Sequence, residues 1–247
     1  MEARDATLLA EHLNESLQRL PGPAYYRVLK TTHRTLRPAN YVEIGVHKGI
    51  SLIQPLPEAK CIGIDPEPSI EELIERELPP DTTVYELTSD EFFALHDPTE
   101  LLGGPVEVAF IDGLHLFEQV LQDFINLERH AGPGSLFLLH DCLPLDEVTA
   151  SRERTTDFYC GDVWKAALVL RRRRPELEMA TVRTAPTGLC FVRGLDSANR
   201  LLEQELDEIV ADYRELDFDY YTAHRDEMPE ELPNDEDVVR AWLTADS

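Results

Sequence analysis

Short apolar runs alternate with amphipathic stretches from residue 40 onward. The apolar runs predict strands at 40–45, 60–65, 82–86, 106–112 and 135–141. The stretches between them predict helices near 48–55, 68–77, 89–96 and 115–130. Strands that alternate with helices indicate right-handed βαβ crossovers, and therefore a parallel sheet with helices on both faces. Residues 108–111 and 136–139 are continuously apolar, which is typical of central strands.

The regions on either side of this alternating pattern have their own elements. Before it, leucines at helical spacing predict a helix at 5–19, and Pro21-Gly22-Pro23 separates it from a second helix at 24–36. After it come a polar loop, a helix at 162–174, a hairpin of strands 178–184 and 188–193, and an acidic helix at 197–214. The tail beyond about residue 226 is expected to be mobile or to dock on a partner.

These elements divide the chain into three predicted parts. Residues 1–38 form a helical cap, residues 39–195 form the α/β domain, and residues 196–247 form an acidic C-terminal helix and tail. The apolar faces of the first and last helices would serve either intramolecular packing or a homo-oligomer interface.

Charge and composition narrow the functional classes. The net charge of −25 disfavours nucleic-acid partners, because an acidic surface repels phosphate backbones. No run approaches the roughly 20 apolar residues of a membrane span, and no basic-then-apolar leader opens the sequence. The four cysteines are far apart and form no C-x-x-C motif. We therefore expect a cytoplasmic protein with free thiols that does not bind membranes.

The most informative segment is the glycine turn at residues 41–51. A strand ends near Glu43, and Gly45 and Gly49 let the backbone approach a ligand at the carboxyl edge of the sheet. The next strand ends in Asp65, whose carboxylate would accept hydrogen bonds from ribose hydroxyls. The turn lacks the G-x-G-x-x-G spacing that binds pyrophosphate, so a nucleoside ligand without phosphates is favoured over a dinucleotide.

A second constellation lies at the ends of the two central strands. Asp112 and His115 follow one strand, and His140 and Asp141 end the next. Because neighbouring parallel strands end at the same edge, these side chains are expected to lie close together. Carboxylates with open water positions would suit Mg²⁺ or another divalent cation. Each residue also has a structural alternative: His115 and Asp141 as helix or loop caps, and His140 as a hydrogen-bonded structural histidine.

Residues 41–193 resemble the class I S-adenosylmethionine (SAM) dependent methyltransferases. The segments 42–49, 62–65 and 88–90 are similar to the family's first three motifs. The resemblance implies a Rossmann-like, seven-stranded, mostly parallel sheet of order 3-2-1-4-5-7-6, with the last strand antiparallel. It also implies SAM as cofactor, bound by Glu43, Gly45, His47, Gly49, Ser51, Asp65, Ser89, Asp90 and Asp112.

Within that family, the Asp112 and His115 spacing looks like the metal-assisted O-methyltransferases of small molecules and sugars. That subgroup implies Asp112, His140 and Asp141 as metal ligands, with His115 as the base that deprotonates the acceptor hydroxyl. His140 departs from this pattern, because the subgroup usually has a carboxylate at that position. The missing carboxylate would weaken Mg²⁺ binding. The expected partner is a small hydroxylated acceptor, such as a sugar or a natural product.

Other interpretations stay open at this point. The chain would alternatively be a non-catalytic module that binds SAM or a protein partner through its acidic helices. An NAD-linked oxidoreductase is the third hypothesis, against which the glycine spacing argues. Trp164, in a Gly-x-x-Trp-Lys segment, would lie either near the acceptor or in the core of its helix.

Overall fold

The sheet at the centre of the molecule has eight strands. We describe a computed structural model, which covers residues 3–245. Its strands are β1 (Asn40–Ile44), β2 (Lys60–Ile64), β3 (Asp81–Tyr85), β4 (Val106–Ile111), β5 (Ala131–His140), β6 (Glu178–Val182), β7 (Leu189–Arg193) and β8 (Glu230–Leu232). Their order is β3-β2-β1-β4-β5-β7-β6-β8.

The first seven strands have the predicted topology. β1 to β5 pair in parallel, and β7 is antiparallel to both β5 and β6. The predicted count of seven was wrong, because β8 adds an eighth strand, parallel to β6. Three residues that lie far beyond the predicted domain form it, and such a short edge strand leaves almost no periodic signal in a sequence.

Ten α-helices lie among the described residues. They are α1 (Ala3–Arg19), α2 (Tyr25–Leu36), α3 (Ile70–Ile74), α4 (Ser89–Leu95), α5 (Pro98–Leu102), α6 (Phe117–Glu128), α7 (Trp164–Arg173), α8 (Leu201–Tyr213), α9 (Phe218–Ala223) and α10 (Glu236–Thr244). The predicted helix at 48–55 does not form, and that stretch is a series of turns. Gly49, with a left-handed φ of 69°, and Pro55 explain the failure, because both interrupt regular helix geometry.

Alternate residues of the central strands face two separate apolar layers. On one face, Ala109 and Ile111 of β4 pack with Phe137 of β5 against α6, α7 and α8. On the other, Val108 and Phe110 pack toward α2 and α10. The strands are thus buried on both sides, as their continuously apolar runs predict. This rigid sheet positions the strand ends that form the site.

Residues 227–245 of the tail fold onto the chain itself. β8 pairs with β6, and α10 packs on α2, where it buries Val239 and Leu243. The guanidinium of Arg193 lies 4.5 Å from the ring centroid of Trp242. The expectation of a mobile tail was therefore wrong for residues 227–245. The segment is polar overall, but its few apolar residues share one helix face.

Two further observations bear on the sequence predictions. Within the described chain, no helix is both long and apolar enough to cross a membrane. All four cysteines are buried and free.

Candidate active site

A cleft of about 880 Å³ opens at the carboxyl ends of β1, β2, β4 and β5. This is the edge where open α/β sheets bind ligands, and the volume falls in the usual range of about 300–1,000 Å³ for small-molecule sites. Of the predicted site residues, the cleft is lined by Gly45, His47, Asp65, Ser89, Asp90, Asp112, His115, His140 and Asp141. Glu43, Gly49 and Ser51 do not line it.

The glycine turn fits closely against the end of β4. A Cβ added to Gly45 would lie 2.0 Å from the carbonyl oxygen of Asp112, and the residue has a φ of 90°. A glycine is therefore required at position 45 by the close approach of the two backbones, whether or not a ligand also needs the space. His47 also adopts a left-handed φ, of 44°, and its amide donates to the carboxylate of Asp65 at 2.7 Å. The turn and the end of β2 are thus joined before any ligand binds.

Glu43 lies beneath the turn rather than in the cleft. It is completely buried, and it accepts hydrogen bonds from Tyr41 at 2.7 Å and from Ser51 at 2.5 Å. Burial raises the pKa of Glu43 to about 8, although both hydrogen bonds act in the opposite direction. Gly49 faces the side chain of Leu73, at 2.4 Å from an added Cβ. In this structure, Glu43, Ser51 and Gly49 shape the turn from below.

The buried Glu43 should make stability depend on pH. Its folded pKa of about 8 lies above the usual value of 4.5, so its stabilising contribution is present below about pH 4.5 and is lost as pH rises toward 8. We expect Glu43→Gln to remove this dependence. Between pH 5 and pH 8, the free energy of unfolding of the variant should therefore rise by a few kcal/mol relative to that of the wild type. Urea unfolding of both proteins at the two pH values measures the difference. Parallel pH profiles would contradict the prediction.

Asp65 is fixed at the rim of the cleft. One carboxylate oxygen accepts from the amide of His47 and the other from the amide of Glu67, at 2.7 and 2.8 Å. These two bonds set the carboxylate plane and leave lone pairs on both oxygens for a ligand. The position is suited to a pair of neighbouring hydroxyls, such as those of a ribose.

Ser89 and Asp90 lie where α4 begins, and a glutamine that the sequence analysis missed connects them. Nε2 of Gln119 lies 3.3 Å from Oγ of Ser89 and 3.3 Å from a carboxylate oxygen of Asp90. The same nitrogen donates to Asp123 at 3.1 Å. Asp123 is buried, and burial raises its pKa to about 7. Gln119 comes from α6, so only the folded chain reveals its place in the site.

The ends of β4 and β5 bring three predicted residues together. The two strands pair in parallel with Ile111 opposite Leu139, so Asp112 follows beside His140. Nδ1 of His140 lies 3.0 Å from Asp112 and 3.4 Å from Asp141. Burial disfavours a charge on His140, but the two carboxylates outweigh it and raise the pKa of His140 well above its usual value. His140 thus lies between two carboxylates that favour its protonated form.

His115 and Asp141 form a hydrogen-bonded pair beside this ion pair. Nδ1 of His115 lies 3.1 Å from Oδ2 of Asp141 and 3.1 Å from the carbonyl oxygen of Tyr159. Burial acts to raise the pKa of Asp141, but its contacts with His140, His115 and Thr187 hold the pKa below its usual value. Thr187 donates a short hydrogen bond to the same carboxylate. Asp141 has a left-handed φ of 60°, which aims it at the cluster.

One set of side chains has the spacing of a metal site. Asp112, His115 and Asp141 each offer a ligand atom, and these atoms lie within 4.8 Å of one another. His140 is not part of that set, and its Nε2 is buried without a hydrogen-bond partner among the described residues. The sequence analysis expected Asp112, His140 and Asp141 as the metal ligands. In the structure, His115 takes the place of His140 in that set.

Comparisons with known proteins agree with this geometry. Residues 42–142 match a family model described as a methyltransferase domain. That match covers the glycine turn, Asp65, Ser89 and Asp90, and the whole Asp112 to Asp141 cluster. Residues 42–142 form a methyltransferase domain.

Solved structures share the fold of this chain at low sequence identity. Cofactor-bound Rv0187 from MTB is 17% identical, with a TM-score of 0.53 over 80% of this chain and 93% of that one. The O-methyltransferase TomG from Streptomyces achromogenes, in complex with SAM, is 17% identical, with a TM-score of 0.52 over 77% and 95%. An O-methyltransferase from Bacillus cereus with S-adenosylhomocysteine (SAH) is 15% identical, with a TM-score of 0.52 over 77% and 96%. No curated protein matches the chain.

The segment that begins α7 supports the methyltransferase site from outside the cleft. Trp164 is buried in the core and packs on Tyr221, at 5.2 Å between ring centroids. Asp162 accepts from the amide of Phe117 at 2.9 Å and so caps α6. Of the two interpretations of Trp164, the structure supports the core anchor.

The other end of the cleft is formed by α1 and by the loop at 142–160. Apolar side chains dominate there: Leu9, Leu13, Leu114, Phe158 and Pro186. Ser16 of α1 donates to the carbonyl oxygen of Pro186 at 2.6 Å, which ties the helix to the β6–β7 turn. This wall is separate in sequence from the glycine turn and is the natural place for a second substrate.

Proposed function

We propose that this methyltransferase uses SAM to methylate a hydroxyl oxygen of a small molecule, a sugar or natural product in size. The observation that carries the proposal is the hydrogen-bonded His115 and Asp141 pair, which lies in the same cleft as the glycine turn and Asp65. The O-methyltransferases of similar fold, with SAM or SAH bound, support both the cofactor and the reaction class.

The residues of one end of the cleft suit SAM. Asp65 would accept the ribose hydroxyls, and the Ser89 and Asp90 pair would face the adenine. The backbone at Gly45 and His47 would lie along the methionine part. SAM carries a positive sulfonium, so a cleft rich in carboxylates is complementary to it. SAM has no phosphate, which agrees with the absence of the G-x-G-x-x-G spacing from the turn.

His115 is suited to accept the acceptor's proton. A neutral imidazole that donates from Nδ1 to Asp141 has its free lone pair on Nε2. SAM supplies an electrophilic methyl group. As the acceptor oxygen bonds to that methyl, the carbon–sulfur bond breaks with its electrons on sulfur, and the hydroxyl proton passes to Nε2. Asp141 orients the ring and stabilises the imidazolium that results, and Thr187 and Tyr159 hold this pair in place.

We also propose a divalent cation, Mg²⁺ or another, at the same cluster. Asp112 and Asp141 would hold it, together with water, while the nearby His115 keeps Nε2 for the acceptor's proton and His140 hydrogen-bonds to Asp112 behind it. A bound cation lowers the pKa of a coordinated hydroxyl. His140 stands where a further carboxylate would be and already bonds to Asp112, so we expect cation binding to be weaker than at an all-carboxylate site.

The role of Asp65 can be tested by calorimetry. Asp65→Ala should weaken SAH binding by about 10- to 100-fold, because hydrogen bonds to a charged group contribute about 1.5–3 kcal/mol. Glu67→Gln is the matched control, since Glu67 also lines the cleft but contacts Asp65 only through its backbone amide. Equal affinities for SAH in the wild type and Asp65→Ala would remove this carboxylate from the cofactor site.

A further inference from the structure

An arginine that has no carboxylate partner among the described side chains lies on the wall of the cleft. Acidic residues outnumber lysine and arginine by 48 to 23, and Arg152, two residues earlier, donates to both Glu118 and Asp162. Arg154, in contrast, has no carboxylate within 4.0 Å among the residues whose side chains the structure describes, 7–245. It is also the only arginine or lysine among the described residues that line the cleft.

The position of Arg154 relates it to the proposed base. Its guanidinium carbon lies 5.8 Å from the ring centroid of Tyr159. The Tyr159 ring stacks on His115, with 5.5 Å between centroids and 3° between planes. One aromatic ring therefore separates the arginine from the histidine. A guanidinium that rests on an aromatic face keeps its N–H edge free for a second partner.

The surroundings of Arg154 favour a ligand whose remaining part is flat and apolar. Leu9 lines both the cleft and a smaller hollow that Arg154 shares, and Phe158 and Pro186 extend the apolar wall. The rest of the cleft is acidic, with Asp65, Asp90, Asp112 and Asp141, and would repel an anion. Asp157 lines the same region but is more than 4.0 Å from the guanidinium. Arg154, the one described arginine or lysine of the cleft, is thus the residue best suited to bind an anionic group.

We infer that the methyl acceptor is a hydroxylated aromatic acid, whose carboxylate is bound by Arg154 while its hydroxyl lies at Nε2 of His115. This inference rests on the proposed function and names the class of its substrate. The planar guanidinium matches a carboxylate with two parallel hydrogen bonds. The aromatic ring of the acceptor lies along Tyr159 and the apolar wall. Arg154 is then a specificity-determining residue that does not take part in the proton transfer.

The test is a binding measurement on the protein saturated with SAH. Hydroxyphenyl carboxylic acids with stepwise longer side chains, and the corresponding neutral amides, are titrated by calorimetry. For the chain length that spans the site, we expect the acid to bind at least about tenfold more tightly than its amide. Arg154→Gln should remove this preference and leave amide affinity unchanged, whereas Arg154→Lys should retain part of it. Arg171→Gln, an exposed charge on α7 away from the cleft, should keep the full wild-type preference.

Three results would overturn the inference. They are equal affinities for acid and amide, an acid preference that survives Arg154→Gln, and no binding of any acid to the protein saturated with SAH. Because SAH binding is measured first, a failure there is separate: it contradicts the proposed function, and the inference fails with it. Arg154 is exposed, so loss of folding is not expected to confuse the comparison.

Discussion

Replacing His115 with alanine is expected to lower kcat by about 10²- to 10⁴-fold while leaving the affinity for SAH unchanged. The size of the effect is that of a general base, because the acceptor hydroxyl would have no group to take its proton. SAH affinity should persist, since Asp65, Ser89 and the glycine turn are held by contacts that do not involve His115. Methyl transfer to an identified acceptor and calorimetry with SAH measure the two quantities.

Two controls make the His115 result specific. His224→Ala removes a histidine that bonds to Tyr220 outside the cleft, and this variant should keep wild-type turnover. Running the wild-type assay with EDTA separates the base from the proposed cation, which is expected to contribute through Asp112 and Asp141. Turnover of His115→Ala within a few-fold of the wild type would rule out His115 as the base. A protein that binds SAH but transfers methyl to no acceptor would favour the non-catalytic module.

Replacing Gly45 with alanine is expected to abolish SAH binding and to destabilise the fold by about 3 kcal/mol or more. The added Cβ would lie 2.0 Å from the carbonyl oxygen of Asp112, and neither backbone can yield, because Asp112 also donates its amide to Ile44 at 2.8 Å. Overpacking of this kind typically costs about 1–3 kcal/mol, and a backbone clash at left-handed φ adds strain. Urea unfolding and SAH calorimetry report the two effects.

Gly103 provides the matched control for Gly45. It has a similar left-handed φ of 77°, yet a Cβ added there meets nothing within 4 Å. Gly103→Ala should therefore cost only the conformational strain, about 1–2 kcal/mol, and retain SAH affinity. If both substitutions cost the same, crowding against β4 is not what requires a glycine in the turn.

The sequence predicted the sheet well because burial on both faces leaves long apolar runs. The order of the first seven strands follows from those runs and from the resemblance to the methyltransferases. β8 and α10 were missed because their apolar positions are few, and their partners, β6 and α2, lie far away along the chain. The absent helix at 48–55 shows a competing local effect, in which Gly49 and Pro55 outweigh periodicity.

The site was predictable at the strand ends and not elsewhere. Parallel pairing alone places Asp112 beside His140 and Asp141, so their proximity follows from the sequence. Gln119 and Thr187 come from elements whose orientation only packing decides, and no local pattern identifies them. The burial of Glu43 was also unpredictable, because it depends on Tyr41 and Ser51 meeting below the turn.

The most direct test of the central claim is a calorimetric titration of the purified protein with SAH. The structure predicts a saturable signal for one site per chain, which the Asp65→Ala and Gly45→Ala variants weaken or lose and the His115→Ala variant keeps. A wild-type protein that gives no binding signal with SAH or SAM would contradict the account.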